Sequence, residues 1–225
     1  MANTQTIITC EHASPRLPQK YIHLFQQDEM LQSHQAWDIG AKGVAEEISK
    51  ALSAPLFLGE YSRLLIDLNR SVSHPSLFSA SIKALSPAER QNIITEYYSP
   101  YRNRVVHEMN QVLERGDSLQ HISVHSFTPV MQGVRRDCDV GILYDPNRII
   151  EKHFAMQWQQ RLRAQGLNVR LNYPYRGTTD GFVTYLRKVN PPTRYIGIEL
   201  EINQALFDAE GHPFGKIAEQ IIRSL

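Results

Sequence analysis

Thr6-Ile7-Ile8-Thr9-Cys10-Glu11-His12-Ala13-Ser14-Pro15 is the stretch that decides the fold of this chain. Thr6-Ile7-Ile8 is a short apolar run and reads as the start of a buried strand. Where it ends, a carboxylate and an imidazole stand side by side. Pro15 and Pro18 then forbid a regular strand or helix interior. The chain therefore opens with a strand that delivers Glu11 and His12 to its end and breaks into a loop. An α/β sheet presents reactive groups in this way, at the carboxyl ends of its strands. His12 is accordingly read as the first ligand of a metal site whose other members come from later segments.

Working outward, the 225 residues suit one α/β domain covering residues 1–225. Lys and Arg total 24 against 23 Asp and Glu, so bulk charge points to neither a nucleic acid nor an anionic membrane. Cys10 and Cys138 make no disulfide framework and no Cys-rich zinc site, which suits a reducing cytoplasm. No basic segment followed by an apolar core opens the chain, and no apolar run approaches the ~20 residues that span a bilayer.

From Asp38 onward the pattern is helical, with Ala41, Val44, Ala45, Ile48 and Leu52 on one face. Asp38 at its start reads equally as an ordinary N-cap or as a functional carboxylate. Leu56-Phe57-Leu58 is a second strand. The segment Tyr61–Arg70 reads as a strand with Arg63 at one end and Asp67, Asn69 and Arg70 at the other. The guanidinium fork suits a substrate carboxylate, and pairing with a structural carboxylate such as Asp67 is the alternative. Ser71–Ala84 is a surface loop. Ser86-Pro87-Ala88-Glu89 starts a helix that Ser99-Pro100 interrupts and Gly116 ends.

His121–Thr128 is a strand that ends at Pro129, with His125 at the same end of the sheet as His12. A histidine there also fits a hydrogen-bonded structural role. Asp139–Asp145 is another strand. Asn147–Ala164 is an amphipathic helix with Ile149, Ile150, Phe154, Trp158 and Leu162 on its apolar face. A strand at Leu167–Leu171 and a turn-rich loop at Asn172–Gly181 follow. In Tyr195–Asn203, Glu199 and Glu201 share one face while Ile196, Ile198, Leu200 and Ile202 line the other. Carboxylates on a covered face of so apolar a strand call for a cation nearby. A closing helix fits within Pro213–Leu225.

Two histidines, an acidic side chain and a further Glu are the inventory of a catalytic zinc hydrolase. Five pieces carry a resemblance: Cys10–Ser14, Ala36–Ala41, Ser62–Arg70, His125–Pro129 and Glu201–Asn203. In this order they resemble the N-formylglutamate amidohydrolase family. Ser-Arg-x-x-x-Asp-x-Asn-Arg and His-Ser-Phe-Thr-Pro are specific together. The resemblance implies a mixed, mostly parallel sheet flanked by helices, of the zinc-exopeptidase-like (phosphorylase/hydrolase-like) kind. It implies hydrolysis of N-formyl-L-glutamate to formate and glutamate, with Zn2+ as cofactor and a small carboxylate as substrate. A more distant similarity to zinc N-acetylmuramoyl-L-alanine amidases implies His12, Asp38 and His125 as metal ligands and Glu201 as general base. Arg63, Asn69 and Arg70 would hold the substrate carboxylate. Glu199 rivals Glu201, and Glu11 rivals Asp38, with Glu11 better suited to a supporting role. Asn203 and Ala205, and the lack of a histidine within Thr184–Lys188, depart from the pattern of many relatives. Two other functions fit the same residues: a non-catalytic carboxylate-binding or regulatory protein, and a zinc amidase for another acyl amino acid or a peptide.

Overall fold

A computed structural model of the chain describes residues 3–25 and 35–225. Its centre is a six-stranded sheet in the order β2-β1-β3-β8-β6-β7. The strands are β1 (Thr4–Cys10), β2 (Leu56–Leu58), β3 (Ser118–Phe127), β6 (Val140–Leu143), β7 (Val169–Leu171) and β8 (Tyr195–Asn203). The pairs β1–β2, β1–β3, β3–β8 and β6–β7 are parallel, and β6–β8 is antiparallel. The sheet is thus mixed and mostly parallel, as the family resemblance implies. A two-stranded hairpin, β4 (Val130–Met131) with β5 (Val134–Arg135), links β3 to β6.

Helices cover both faces, which is why the strands read as near-continuous buried runs. On one face α1 (Ala41–Leu52), α5 (Ile149–Ala164) and α7 (Ile217–Ser224) pack on Ile8, Ile122, Val124, Ile198, Leu200 and Ile202. Trp158 of α5 is fully buried there, and its indole N–H donates to Ser224 Oγ at 2.8 Å. On the other face α4 (Ser99–Glu114) and α6 (Phe182–Val189) pack on Ile7, Leu119 and Tyr195. Strand alternation places Thr9, Ser123, His125, Glu199 and Glu201 on that second face. In register Thr9 lies beside Ser123, Ser123 beside Glu199, and His125 beside Glu201. A polar row therefore crosses three adjacent parallel strands at their carboxyl ends.

Several local expectations are corrected. Tyr61–Arg70 is a chain of turns and not a strand. Its apolar residues Leu64, Leu65, Ile66 and Leu68 are all buried, so there is no alternation for a sheet to use. Side chains organise the turns: Leu64 N–H donates to Ser62 Oγ and Asn69 N–H to Asp67 Oδ1. Asp38 does not cap α1; Gly40, at φ +82°, occupies the N-cap. Leu52 and Ile149 turn to solvent; α5 buries Trp158 and Leu162 as expected, together with Glu151 and Ala155.

The helix does not break at Ser99-Pro100. Ile94–Tyr98 forms a π turn between α3 (Pro87–Ile93) and α4, with Ser99 N–H reaching Ile94 O. Pro100 has no N–H to offer a regular turn, and the wider turn absorbs this. The Ser86 capping box is formed as its sequence suggests. The segment after Leu77 holds a short helix, α2 (Ala80–Lys83). No helix among the described residues is long and apolar enough to cross a membrane.

Candidate active site

His12 stands two residues after β1, Asp38 precedes α1, and His125 lies two residues before the end of β3. These three buried side chains offer ligand atoms within 4.8 Å of one another. Asp38 Oδ2 lies 3.2 Å from His12 Nδ1 and 2.8 Å from His125 Nδ1. Both imidazoles therefore turn the same nitrogen toward one carboxylate oxygen. Their other nitrogens are engaged elsewhere. His12 Nε2 is 2.7 Å from Asp67 Oδ1, and His125 Nε2 is 3.2 Å from Glu11 Oε2. Ser123 Oγ donates to the same Glu11 oxygen at 2.6 Å. A histidine whose far nitrogen is held by a carboxylate presents a fixed lone pair, the arrangement that supports metal ligands.

The charge balance points the same way. Burial opposes ionisation of Asp38, but His12 and His125 outweigh it and hold its carboxyl well below the usual range. Burial likewise acts against Glu11 and Asp67, and their histidine partners keep both ionised. Burial lowers the basicity of His125, yet hydrogen bonds to Asp38 and Glu11 leave its pKa well above the ordinary value. Arg63 is the permanent cation in contact with this cluster, 3.1 Å from Asp38 Oδ1 and 3.4 Å from Asp67 Oδ2. Protonated imidazoles balance these carboxylates; neutral imidazoles, the form that binds metal, would leave Arg63 against them and favour a further cation. The donor set, two imidazoles and a carboxylate, fits zinc with an open position.

The cluster forms the floor of a cleft of about 760 Å³ whose lining includes Arg63, Asn69, Arg70, Tyr175, Arg176, Glu199 and Glu201. Glu201 is buried, and its Oε2 has no hydrogen-bond partner among the described residues. Burial pushes its carboxyl up to about 7, against the pull of His125. Burial also raises Glu199, which is 8% exposed. A matching model of the N-formylglutamate amidohydrolase family spans residues 4–207, which includes every residue named here. The chain belongs to the N-formylglutamate amidohydrolase family.

Among curated proteins, no sequence matches at a significant level. Solved structures that resemble this family member include the following two. The gene product Atu2144 of Agrobacterium tumefaciens superposes with a TM-score of 0.83 at 31% identity, covering 99% of this chain and 91% of that one. An N-formylglutamate amidohydrolase from Ralstonia eutropha JMP134 gives a TM-score of 0.72 at 16% identity over 100% of this chain and 90% of that one, and so shares the fold.

The other sequence candidates also fall at this amidohydrolase-family site. Asn69 Oδ1 accepts from Phe182 N–H at 2.7 Å, and its amide nitrogen lies 3.4 Å from His125 Nε2. Arg70 Nη1 donates to Asp180 O at 2.5 Å. Two residues escaped sequence reasoning. Asp67 stood only as a counter-ion for arginine, and its bond to His12 has no sequence signal. Arg176 sits in a loop read only as turn-rich; it lines the cleft and forms no ion pair among the described residues. The departures from the family pattern lie off the cleft. Asn203 donates to Cys138 O at 2.8 Å and accepts from Ala205 N–H, and Thr184–Lys188 belong to α6, where Arg187 pairs with buried Glu151.

Proposed function

We propose that this chain hydrolyses the amide of a small N-acyl amino acid, with N-formyl-L-glutamate as the favoured substrate and formate and L-glutamate as products. The observation that carries the reading is Glu201 Oε2, a buried carboxylate oxygen with no donor among the described residues, in the same cleft as the His12-Asp38-His125 cluster. A zinc ion held by Nδ1 of His12, Asp38 and Nδ1 of His125 would supply Lewis-acid polarisation and acidify water.

Glu201 takes a proton from the attacking water as its oxygen bonds to the formyl carbon. The same carboxyl then gives that proton to the amide nitrogen as the C–N bond breaks, so the amine leaves neutral. A carboxyl raised to about 7 is suited to both halves of this exchange, since it gains and loses a proton near neutrality. Arg63, Asn69 and Arg70 receive a substrate carboxylate. Arg63 has more N–H groups than Asp38 and Asp67 use. Arg176 gives the cleft a further cation, which suits a substrate with two carboxylates.

Metal analysis of the purified protein together with formate release from a panel of N-acyl amino acids tests this. N-formylglutamate should lead the panel, and zinc should be stoichiometric. His12→Ala and His125→Ala should lose both zinc and turnover. Glu201→Gln should keep zinc and lose about 100-fold or more in rate. Protein without zinc or turnover sinks the reading and favours a carboxylate-binding protein; a Glu201→Gln enzyme with most of its rate transfers the base role to Glu199.

A further inference from the structure

Arg136, the residue after β5, is a buried charge with no counter-ion among the described residues. It is 9% exposed, and no carboxylate among the described residues lies within ion-pair distance of it. Burying an arginine in this way is costly unless its N–H groups are well used. They are used on one wall of the cleft. The guanidinium donates to Tyr175 Oη at 3.0 Å, to Thr128 Oγ1 at 3.5 Å and to Met131 Sδ. It also lies over the rings of Tyr175, 5.0 Å from the centroid, and Phe127, at 6.0 Å. Thr128, Met131, Phe127 and Tyr175 all line the cleft that holds Glu201 and the His12-Asp38-His125 cluster.

The consequence falls on Tyr175. Arg136 fills a lone pair of its phenol oxygen, while the phenol's own O–H has no acceptor among the described residues. A phenol that accepts from a cation is a stronger donor through its remaining proton. Tyr175 is 39% exposed; partial burial and the nearby Glu201 carboxylate raise its pKa, so the proton stays in place at neutral pH. The loop that carries it is pinned on both sides. Asn172 Oδ1 accepts from Tyr144 N–H at 3.1 Å and from Gly177 N–H at 3.0 Å. Gly177 presses so closely on Tyr144 that a Cβ there would stand 2.4 Å from its backbone nitrogen. An O–H donor fixed in a cleft before substrate arrives is what stabilises a charge that appears only during reaction.

We propose that Tyr175 is a catalytic residue that donates a hydrogen bond to the carbonyl oxygen of the scissile amide as that oxygen gains negative charge, and that Arg136 is the positioning residue that holds the phenol. The proton remains on Tyr175 throughout, and the bond is strongest when the carbonyl carbon is tetrahedral. The inference rests on the hydrolase reading above.

Steady-state kinetics of the zinc-loaded Tyr175→Phe enzyme on N-formylglutamate test it. Loss of one such donor should lower kcat about 100-fold, with KM within about threefold and zinc content unchanged, because the interaction belongs to the transition state. Arg136→Lys should lower kcat by less than Tyr175→Phe does, with KM and zinc content unchanged, because the phenol keeps its proton and loses only its anchor. The double variant should be no slower than Tyr175→Phe, since Arg136 acts through the phenol. A Tyr175→Phe enzyme with full kcat, or with only a raised KM, overturns the proposal and leaves the hydrolase reading standing. A wild-type protein with neither zinc nor turnover overturns both.

Discussion

Asp67 acts on the cleft through another side chain. Its Oδ1 fixes His12 Nε2, its Oδ2 faces Arg63, and its Oδ1 also accepts the Asn69 N–H that closes the local turn. Asp67→Asn keeps the shape and removes the charge that orients the imidazole. Zinc affinity should fall roughly 10- to 100-fold, read by competition with a chromophoric chelator; an unchanged affinity would separate Asp67 from the site. At this scale the sequence was informative about residue types and mute about partners. His12, Asp38 and His125 could be named because histidine and carboxylate at strand and helix ends are few. Asp38 could not be told from a helix cap, since the same residue type serves both and only its distance to two imidazoles decides. Glu199 and Glu201 share a strand face, and it is the orphaned oxygen of Glu201 that distinguishes them.

At the scale of elements, β3 and β6 each carry a feature with a measurable effect. His121 on β3 is fully buried between Thr9 Oγ1 at 2.8 Å and Tyr195 Oη at 2.9 Å. Burial lowers its pKa from 6.5 to about 4. The folded protein therefore binds fewer protons here than the unfolded chain between those values, and stability falls as pH drops through that window. Across about 2.5 pH units at ~1.36 kcal/mol each, the loss totals about 3 kcal/mol and is complete below about 4. Denaturant melts from pH 7 to 4 should give a steeper decline for wild type than for His121→Gln; parallel declines would refute the assignment.

Gly141 on β6 sits beside Glu201, and a Cβ there would lie 1.9 Å from Tyr173 O and 3.3 Å from Glu201 Cβ. Gly141→Ala should cost about 1–3 kcal/mol and reduce turnover by displacing the loop after Tyr173. Thermal melts and kinetics together check this, and a neutral substitution on both would count against it. The buried strands were readable because their apolar runs are long. The hairpin β4–β5 and helix α6 were not, the first because Val130-Met131 and Val134-Arg135 are too short to show a period. In α6 the signal at Phe182, Val183 and Leu186 follows a glycine-rich loop with no capping residue.

For the whole molecule, a cation held among the buried carboxylates would tie stability to its own presence. Glu11, Asp38 and Asp67 come from three separate segments and converge on two histidines. Zinc present at 100 times its Kd would stabilise the fold by about 2.7 kcal/mol. For a chain of this size that is roughly 5–10 °C in Tm, so dialysis against chelator should lower the Tm by that amount and zinc should restore it. An unmoved Tm would argue against a metal at this site. The overall architecture was legible because βα alternation and covered strands leave few arrangements. The direction of β6 was not, because an apolar strand reads the same both ways.

That direction has its own consequence. β6 runs against β8, so the chain passes from the end of β3 to the start of β6 without leaving the rim above the cleft. The hairpin and Arg136 lie on this short bridge. Lengthening a loop costs only about 0.6 kcal/mol per doubling, and none of His12, Asp38 or His125 lies between Phe127 and Val140. Residues inserted on this bridge would therefore reshape the wall of the cleft at little cost in stability, provided that Arg136 keeps its hold on Tyr175.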